Sequence, residues 1–299
     1  MDRRKVGNTF QVVGAYDAVI GGKNCVIAYS GGLEVIFSKD NALDVSAVRF
    51  NGVNVSFLSK NGLNDGKRSF TGNFEGGFLY TCGMDNVSDC VEGKPIHGSL
   101  HYKKAENVSF FIDGDKITVC GEVSETALFG KNLVFKRKFT VTPNSITVDD
   151  EIVNNAFTDA DYVLLYHVNY GYPFLDECLK LDVPSVKTEP KTEIAKERFD
   201  ERLKITYPVD GGDEDVYYHT LKSGRIGLLN PEKGISVTMN YSVDDFPVTL
   251  EWKSMISGDY ALGIEPSLTR FDDFKTRTLK PAESKNYKIE ISFDNIISQ

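Results

Sequence analysis

Ile235-Ser236-Val237-Thr238-Met239-Asn240-Tyr241 alternates apolar and polar side chains without a break. Successive side chains of an extended chain point to opposite faces. The stretch therefore predicts a strand with Ile235, Val237, Met239 and Tyr241 packed and the other three toward water. Near the C-terminus Tyr287, Ile289, Ile291 and Phe293 repeat the pattern against Lys288, Glu290 and Ser292. Rougher versions occur at 108–112, 116–123, 133–141, 145–153 and 162–168. Between the runs stand Asn51-Gly52, Asp65-Gly66, Asp113-Gly114 and Asp210-Gly211, pairs that tolerate the positive φ of two-residue hairpin turns. Many closely spaced strands and one short polar helical candidate, at 191–202 after Pro190, predict an all-β antiparallel sandwich. The helical candidate reads as a surface insertion. With no linker or fixed repeat, residues 1–299 are expected to form one domain.

A hydrophobic fraction of 41% over 299 residues is ample for a large core. The net charge of -9 argues against nucleic acid or an anionic membrane as partner, since either asks for a basic stripe. The basic start Met1-Asp2-Arg3-Arg4-Lys5 is not followed by the apolar region of a signal peptide, and no apolar run reaches the length of a membrane helix. Five widely spaced cysteines without a Cys-x-x-Cys suit reduced thiols, so a cytoplasmic protein is expected.

Phosphate-loop, dinucleotide, zinc-protease and nucleophile-elbow signatures are absent. His97 and His101 have the i, i+4 spacing of a metal clamp, but Gly98-Ser99 disfavours a helix there, and no metal or other cofactor is expected. What remains is a set of polar residues bordered by glycines and aromatics. Phe74-Glu75-Gly76-Gly77 and Thr81-Cys82-Gly83 precede His97-Gly98. Tyr166-His167-Val168-Asn169-Tyr170-Gly171-Tyr172-Pro173 lies mid-chain. Late in the chain Leu250-Glu251-Trp252 leads to Leu262-Gly263-Ile264-Glu265-Pro266. An imidazole and a carboxylate are a usable acid and base near neutral pH, and an aromatic such as Trp252 can face a sugar ring. The bland reading of each is also open. His97 could be a turn residue, Glu265 a solvated carboxylate, and Trp252 core. Asp85 reads as a cap of the Gly83 turn, His101 as a surface residue beside Lys103 and Lys104, and Asp210–Asp215 as a solvated acidic loop.

Together with Leu43-Asp44-Val45, Phe50-Asn51-Gly52 and Val148-Asp149-Asp150-Glu151-Ile152-Val153-Asn154, these segments resemble the aldose 1-epimerases, or galactose mutarotase-like proteins. The resemblance is to their aldose 1-epimerase-like branch, and runs from about Asp44 to Ser292. It implies a β-supersandwich and the cofactor-free interconversion of the anomers of a reducing sugar. It also implies Glu265 as the base on the anomeric hydroxyl, His167 as the acid on the ring oxygen, and His97 as a substrate-binding residue. Asn169 and Trp252 join the substrate-binding candidates. The sugar-binding Asp of the better-known mutarotases falls in Asp213–His219, where Glu214 and His219 are the candidates. For their early Arg, Arg49 and Arg68 are the nearby options.

Opening a hemiacetal requires a proton to leave one oxygen while another reaches its neighbour, which is general acid–base work. On this reading His167 and Glu265 should face one pocket from opposite sides, a sugar ring apart and too far for a direct hydrogen bond. A small-molecule sugar is the expected partner. A carbohydrate-binding or sensing protein without catalysis is the second class. A hydrolase or lyase on a similar sandwich is the third, although Glu265 has no evident carboxylate companion in a matching motif for glycoside hydrolysis.

Overall fold

Residues 235–241 form a strand, with Ile235, Val237 and Met239 buried, as the alternation requires. The computed structural model describes residues 7–63, 69–88 and 93–296. Asp65-Gly66, Arg68 and Cys90 lie outside them. The strands are β1 (Val13–Ile20), β2 (Lys23–Ser30), β3 (Leu33–Ser38), β4 (Asp44–Phe50), β5 (Val53–Asn54) and β6 (Leu79–Met84). There follow β7 (Glu106–Asp113), β8 (Lys116–Thr126), β9 (Asn132–Thr142), β10 (Ser145–Asn154), β11 (Ala160–Gly171), β12 (Lys180–Asp182) and β13 (Ser185–Pro190). The last are β14 (Asp215–Leu221), β15 (Gly224–Asn230), β16 (Ile235–Tyr241), β17 (Val248–Ser254), β18 (Ala261–Ser267), β19 (Arg277–Leu279) and β20 (Ser284–Asn295). Every run read from the sequence lies within one of them.

The strands form two antiparallel sheets. The larger follows the order β1-β2-β3-β4-β6-β11-β18-β17-β14-β13, with β5 and β19 on its flanks, and the smaller runs β12-β15-β16-β20-β10-β9-β8-β7. Their facing sides meet through aromatic pairs. Phe37 of β3 packs on Phe139 of β9, Phe50 of β4 on Phe293 of β20, and Tyr162 of β11 shares a 2.7 Å hydroxyl contact with Tyr287 of β20. This is the all-β sandwich the periodicity predicts. Asn51 and Gly52, both at positive φ, turn β4 into β5. The β7–β8 turn centres on Gly114-Asp115, one residue later than the Asp-Gly pair suggested, and Asp210-Gly211 lies in a loop rather than a hairpin. The helical candidate shrinks to α-helix Glu193–Glu197 and a 3-10 turn at Phe199–Glu201.

A buried ion cluster crosses the sandwich. Arg137 of β9 is held by Asp150 of β10 at 3.1 and 3.2 Å, and reaches Asp44 of β4 at 2.5 Å and Thr81 of β6 at 3.1 Å. Its guanidinium also lies 4.9 Å from the ring centres of both Phe135 and Phe139. His101 Nδ1 donates to the other oxygen of Asp44 at 2.7 Å, and its ring stacks on Tyr80 at 3.7 Å. It is therefore a buried member of this cluster and not the surface residue its lysine neighbours suggested. Burial works to raise the Asp44 carboxyl, but Arg137 and then His101 hold it below the ordinary range. No helix among the described residues is long and apolar enough to cross a membrane.

Candidate active site

Beyond Asp161 the long central strand β11 is buried on both faces, so its two sides must be satisfied differently. Tyr166 points into the sandwich, where its hydroxyl donates to Asp150 at 2.6 Å. One residue on, the pleat turns His167 to the opposite face. On the neighbouring strand β18, Leu165 pairs with Ser267 and Val168 with Ile264, a register that sets His167 directly opposite Glu265. Their side chains meet, with His167 Nε2 3.2 Å from Glu265 Oε1, and both are almost wholly buried.

This corrects the expected separation across a sugar ring. The register of β11 on β18 puts positions 167 and 265 on neighbouring strands and on one face, so the two side chains reach one another directly. The two residues do share one pocket, of about 300 Å³, with Phe70, Thr71, Phe74, Ile96, His97, Lys191, Glu214, Val216, Leu250, Trp252 and Phe271. That volume lies at the small end of small-molecule sites and suits a monosaccharide.

Local backbone geometry builds the rest. His97 sits at φ +60° and Gly98 at +83°, a tight turn packed so closely that a methyl group at Gly98 would lie 2.3 Å from the carbonyls of Gly83 and Asn86. This turn aims the His97 ring at the pocket, 5.7 Å edge-on from the His167 ring. Its Nδ1 lies 3.0 Å from the Val87 carbonyl, which can only accept, so Nδ1 carries the hydrogen. Glu214 accepts a 2.6 Å bond from Trp252 Nε1, which fixes the indole as a wall of the pocket. Gly263 lies against the pair. A methyl there would stand 2.9 Å from both Glu265 Oε1 and His167 Cε1 and 3.2 Å from Trp252 Cε3.

Burial sets the protonation of the pair. It pushes the Glu265 carboxyl up to about 8, with Glu214 adding to the rise and Lys191 opposing it. Burial also drives the His167 imidazole well below its ordinary value, helped by the charge of His97 and opposed by Asn169. Both effects favour a protonated Glu265 beside a neutral His167 near neutrality. The pair thus holds one labile proton at a 3.2 Å contact between Oε1 and Nε2.

Five of the seven sequence candidates line this pocket: Glu265, His167, His97, Glu214 and Trp252. Two do not. Asn169 shares the face of His167 but is fully buried, with its amide nitrogen 3.3 Å from the His167 carbonyl, so it supports the histidine from behind. His219 projects from the other face of β14 and binds Glu251 at 2.9 Å, because it is offset by an odd number of residues from the pocket-lining Val216. Arg49 lies on β4, away from the pocket lining. Asp85 caps the turn at Ser99, accepting from its N–H at 3.0 Å, rather than the turn at Gly83. Asp215 is buried between Arg198 and Lys253, so only the earlier part of the acidic run is a solvated loop. His97 and His101 diverge, one to the pocket and one to Asp44, which removes the i, i+4 clamp.

Lys191 and the aromatics Phe70 and Phe271 were missed. Lys191 lies 5.3 Å above the Phe271 ring, at the end of β13, in a stretch whose polarity reads as surface. Glu214 is also a second carboxylate beside Glu265, brought there by folding rather than by a shared motif.

The fold recurs in solved structures. A provisionally assigned aldose 1-epimerase from Klebsiella pneumoniae is 17% identical, with a TM-score of 0.83 over 97% of this chain and 89% of the other. A galactose mutarotase-like protein from Clostridium acetobutylicum is 16% identical, with a TM-score of 0.71 over 95% and 99%. A galactose mutarotase related enzyme from Lactobacillus acidophilus is 13% identical, with a TM-score of 0.62 over 95% and 98%. At these identities the likeness establishes a galactose mutarotase-like fold. No curated protein sequence matches the chain. The model of the family described as "Domain of unknown function (DUF4432)" matches residues 21–293, a span that contains every residue of the pocket, and the chain belongs to that family.

Proposed function

We propose that the protein is a mutarotase that interconverts the anomers of a reducing sugar, with Glu265 and His167 as base and acid. The observation that carries this reading is the 3.2 Å contact of the two side chains inside a pocket of monosaccharide size. In the charged form of the pair, the Glu265 carboxylate takes the proton of the anomeric hydroxyl while the His167 imidazolium gives one to the ring oxygen. The C1–O5 bond breaks, C1=O1 forms, and the free aldehyde can rotate about C1–C2. Proton transfer in the reverse sense closes the ring on either face.

The ring-opened state leaves Glu265 protonated and His167 neutral, which is the form that burial favours. Desolvation thus favours the ring-breaking step from the charged form, while it keeps the charged form the minor one in the resting pair. Each group supplies roughly 10²–10⁴-fold, enough for a reaction that water already performs slowly. His97, Lys191 and Glu214 bring polar side chains to the pocket for the sugar hydroxyls, and Trp252 with Phe74 faces the apolar side of the ring.

Polarimetry on a panel of freshly dissolved aldoses tests the proposal. At least one should reach rotational equilibrium faster than in buffer, and the acceleration should vanish in His167→Gln. A panel with no acceleration would leave the pocket as a binding site only.

A further inference from the structure

His219, displaced from the sugar pocket, belongs to a second array on the opposite face of the same strands. Its Nε2 lies 2.9 Å from Glu251 Oε2, and its Nδ1 lies 2.7 Å from Ser185 Oγ. Thr188 Oγ1 also approaches Nδ1, at 3.1 Å. A carboxylate only accepts, so Glu251 keeps the hydrogen on Nε2 and leaves the Nδ1 lone pair for the Ser185 hydroxyl. His219 and Glu251 are almost completely buried, which locks the ring, while Ser185 is half-buried. Ser185 sits on β13, which ends the larger sheet's strand order, at a bulge. It pairs with Leu221 and Lys187 with Thr220, so Val186 is the extra residue. A cavity of about 220 Å³ opens here, lined by Ser185, Thr188 and His219 together with Lys187, Arg202 and Leu203.

We propose that Ser185 is a nucleophile, with His219 as its base and Glu251 as the residue that orients His219, in a second site that hydrolyses short-chain acyl esters. Nucleophile, base and orienting group each lie within hydrogen-bond reach of the next, which is the recurrent geometry of acyl transfer on unrelated folds. Ser185 Oγ attacks the ester carbonyl carbon as its proton passes to His219 Nδ1. The bond to the alcohol oxygen breaks, and the alcohol leaves with that proton. Water then attacks the acyl-serine, loses a proton to Nδ1, and releases the carboxylic acid as Ser185 Oγ recovers it. Lys187, itself paired with Glu189 at 3.0 Å, and Arg202, whose Nη1 donates to the Phe199 carbonyl, place positive charge on the cavity wall. That suits the charge that develops on the carbonyl oxygen. The small volume restricts the acyl group to a few carbons. None of these residues lines the sugar pocket, so the inference stands or falls apart from the mutarotase reading.

The test uses the full chain with a fluorophosphonate probe and with p-nitrophenyl acetate. Mass spectrometry of the labelled protein should place the phosphonate on Ser185. Release of p-nitrophenol should saturate with ester and fall about 100-fold or more in Ser185→Ala, with an unchanged melting temperature. Absence of label from Ser185, label on Thr188 in its place, or equal ester release by Ser185→Ala would overturn the proposal. Labelling of the wild-type chain decides the matter even if a variant folds poorly.

Discussion

His167 and Glu265 stand opposite one another on adjacent antiparallel strands with their side chains in contact, and the pair can hold one proton between them. Catalysis by such a pair requires that proton, which ties activity to pH. Removal of the proton as pH rises through about 8 leaves no acid for the ring oxygen. A second proton, added below the lowered range of His167, leaves no base. The rate of anomer exchange should therefore be bell-shaped, with its alkaline limb near 8 and its acid limb below the ordinary imidazole range. A pH series by polarimetry measures both limbs.

The same shifts make a stability prediction of definite sign. Glu265 is raised in the folded chain, so its contribution is complete below its unfolded value and is lost as pH rises through about 8. His167 is lowered, so its contribution is complete above its unfolded value and is lost as pH falls toward its folded one. The two oppose each other in the weakly acidic range, and the Glu265 loss dominates above it. Glu265→Gln removes that loss. Relative to wild type the variant should gain about 2 kcal/mol between about pH 6.5 and about pH 8.5, read from urea unfolding at the two values.

Gly263→Ala should damage chemistry more than folding. The added methyl meets Glu265 and His167 at 2.9 Å, so the pair must part, whereas the strand itself accepts alanine. Exchange rates should fall roughly 10–100-fold with little change in melting temperature, since small displacements of positioned groups are costly. A variant with wild-type rates would mean that the pair's spacing is unimportant.

Removal of the charge at Arg137 should do the reverse. Arg137→Met leaves Asp44 and Asp150 buried without their common partner. Denaturant titration should show a loss of about 3–5 kcal/mol, the usual cost of orphaning a buried charge.

The sandwich was legible in the sequence because strands half-covered by a second sheet must alternate, and 235–241 and 287–293 do so cleanly. That His167, Glu265 and His97 would line one pocket was legible through their flanking motifs. Their spacing was not, because it depends on the cross-strand register of β11 and β18, which no local pattern encodes. Other motif residues proved to hold the fold. Asp44, Thr81 and Asp150 all serve Arg137, a buried cation whose place in an ordinary alternating strand gave no sign of its partners. His219 was misplaced because the parity of a strand decides the face, and a one-residue error sends a side chain through the sheet. Lys191 was hidden by a polar stretch that reads as surface, yet its charge reaches Glu265.

The central claim is that Glu265 and His167 open and close a sugar ring together. Two-dimensional exchange NMR at anomeric equilibrium reads that event without any coupled reaction. With wild-type protein and an accepted aldose, cross-peaks between the α and β anomeric protons should build up much faster than in buffer. In Glu265→Gln, which keeps the size of the side chain but cannot take the proton, they should return to the buffer rate. Full exchange in Glu265→Gln would contradict the account.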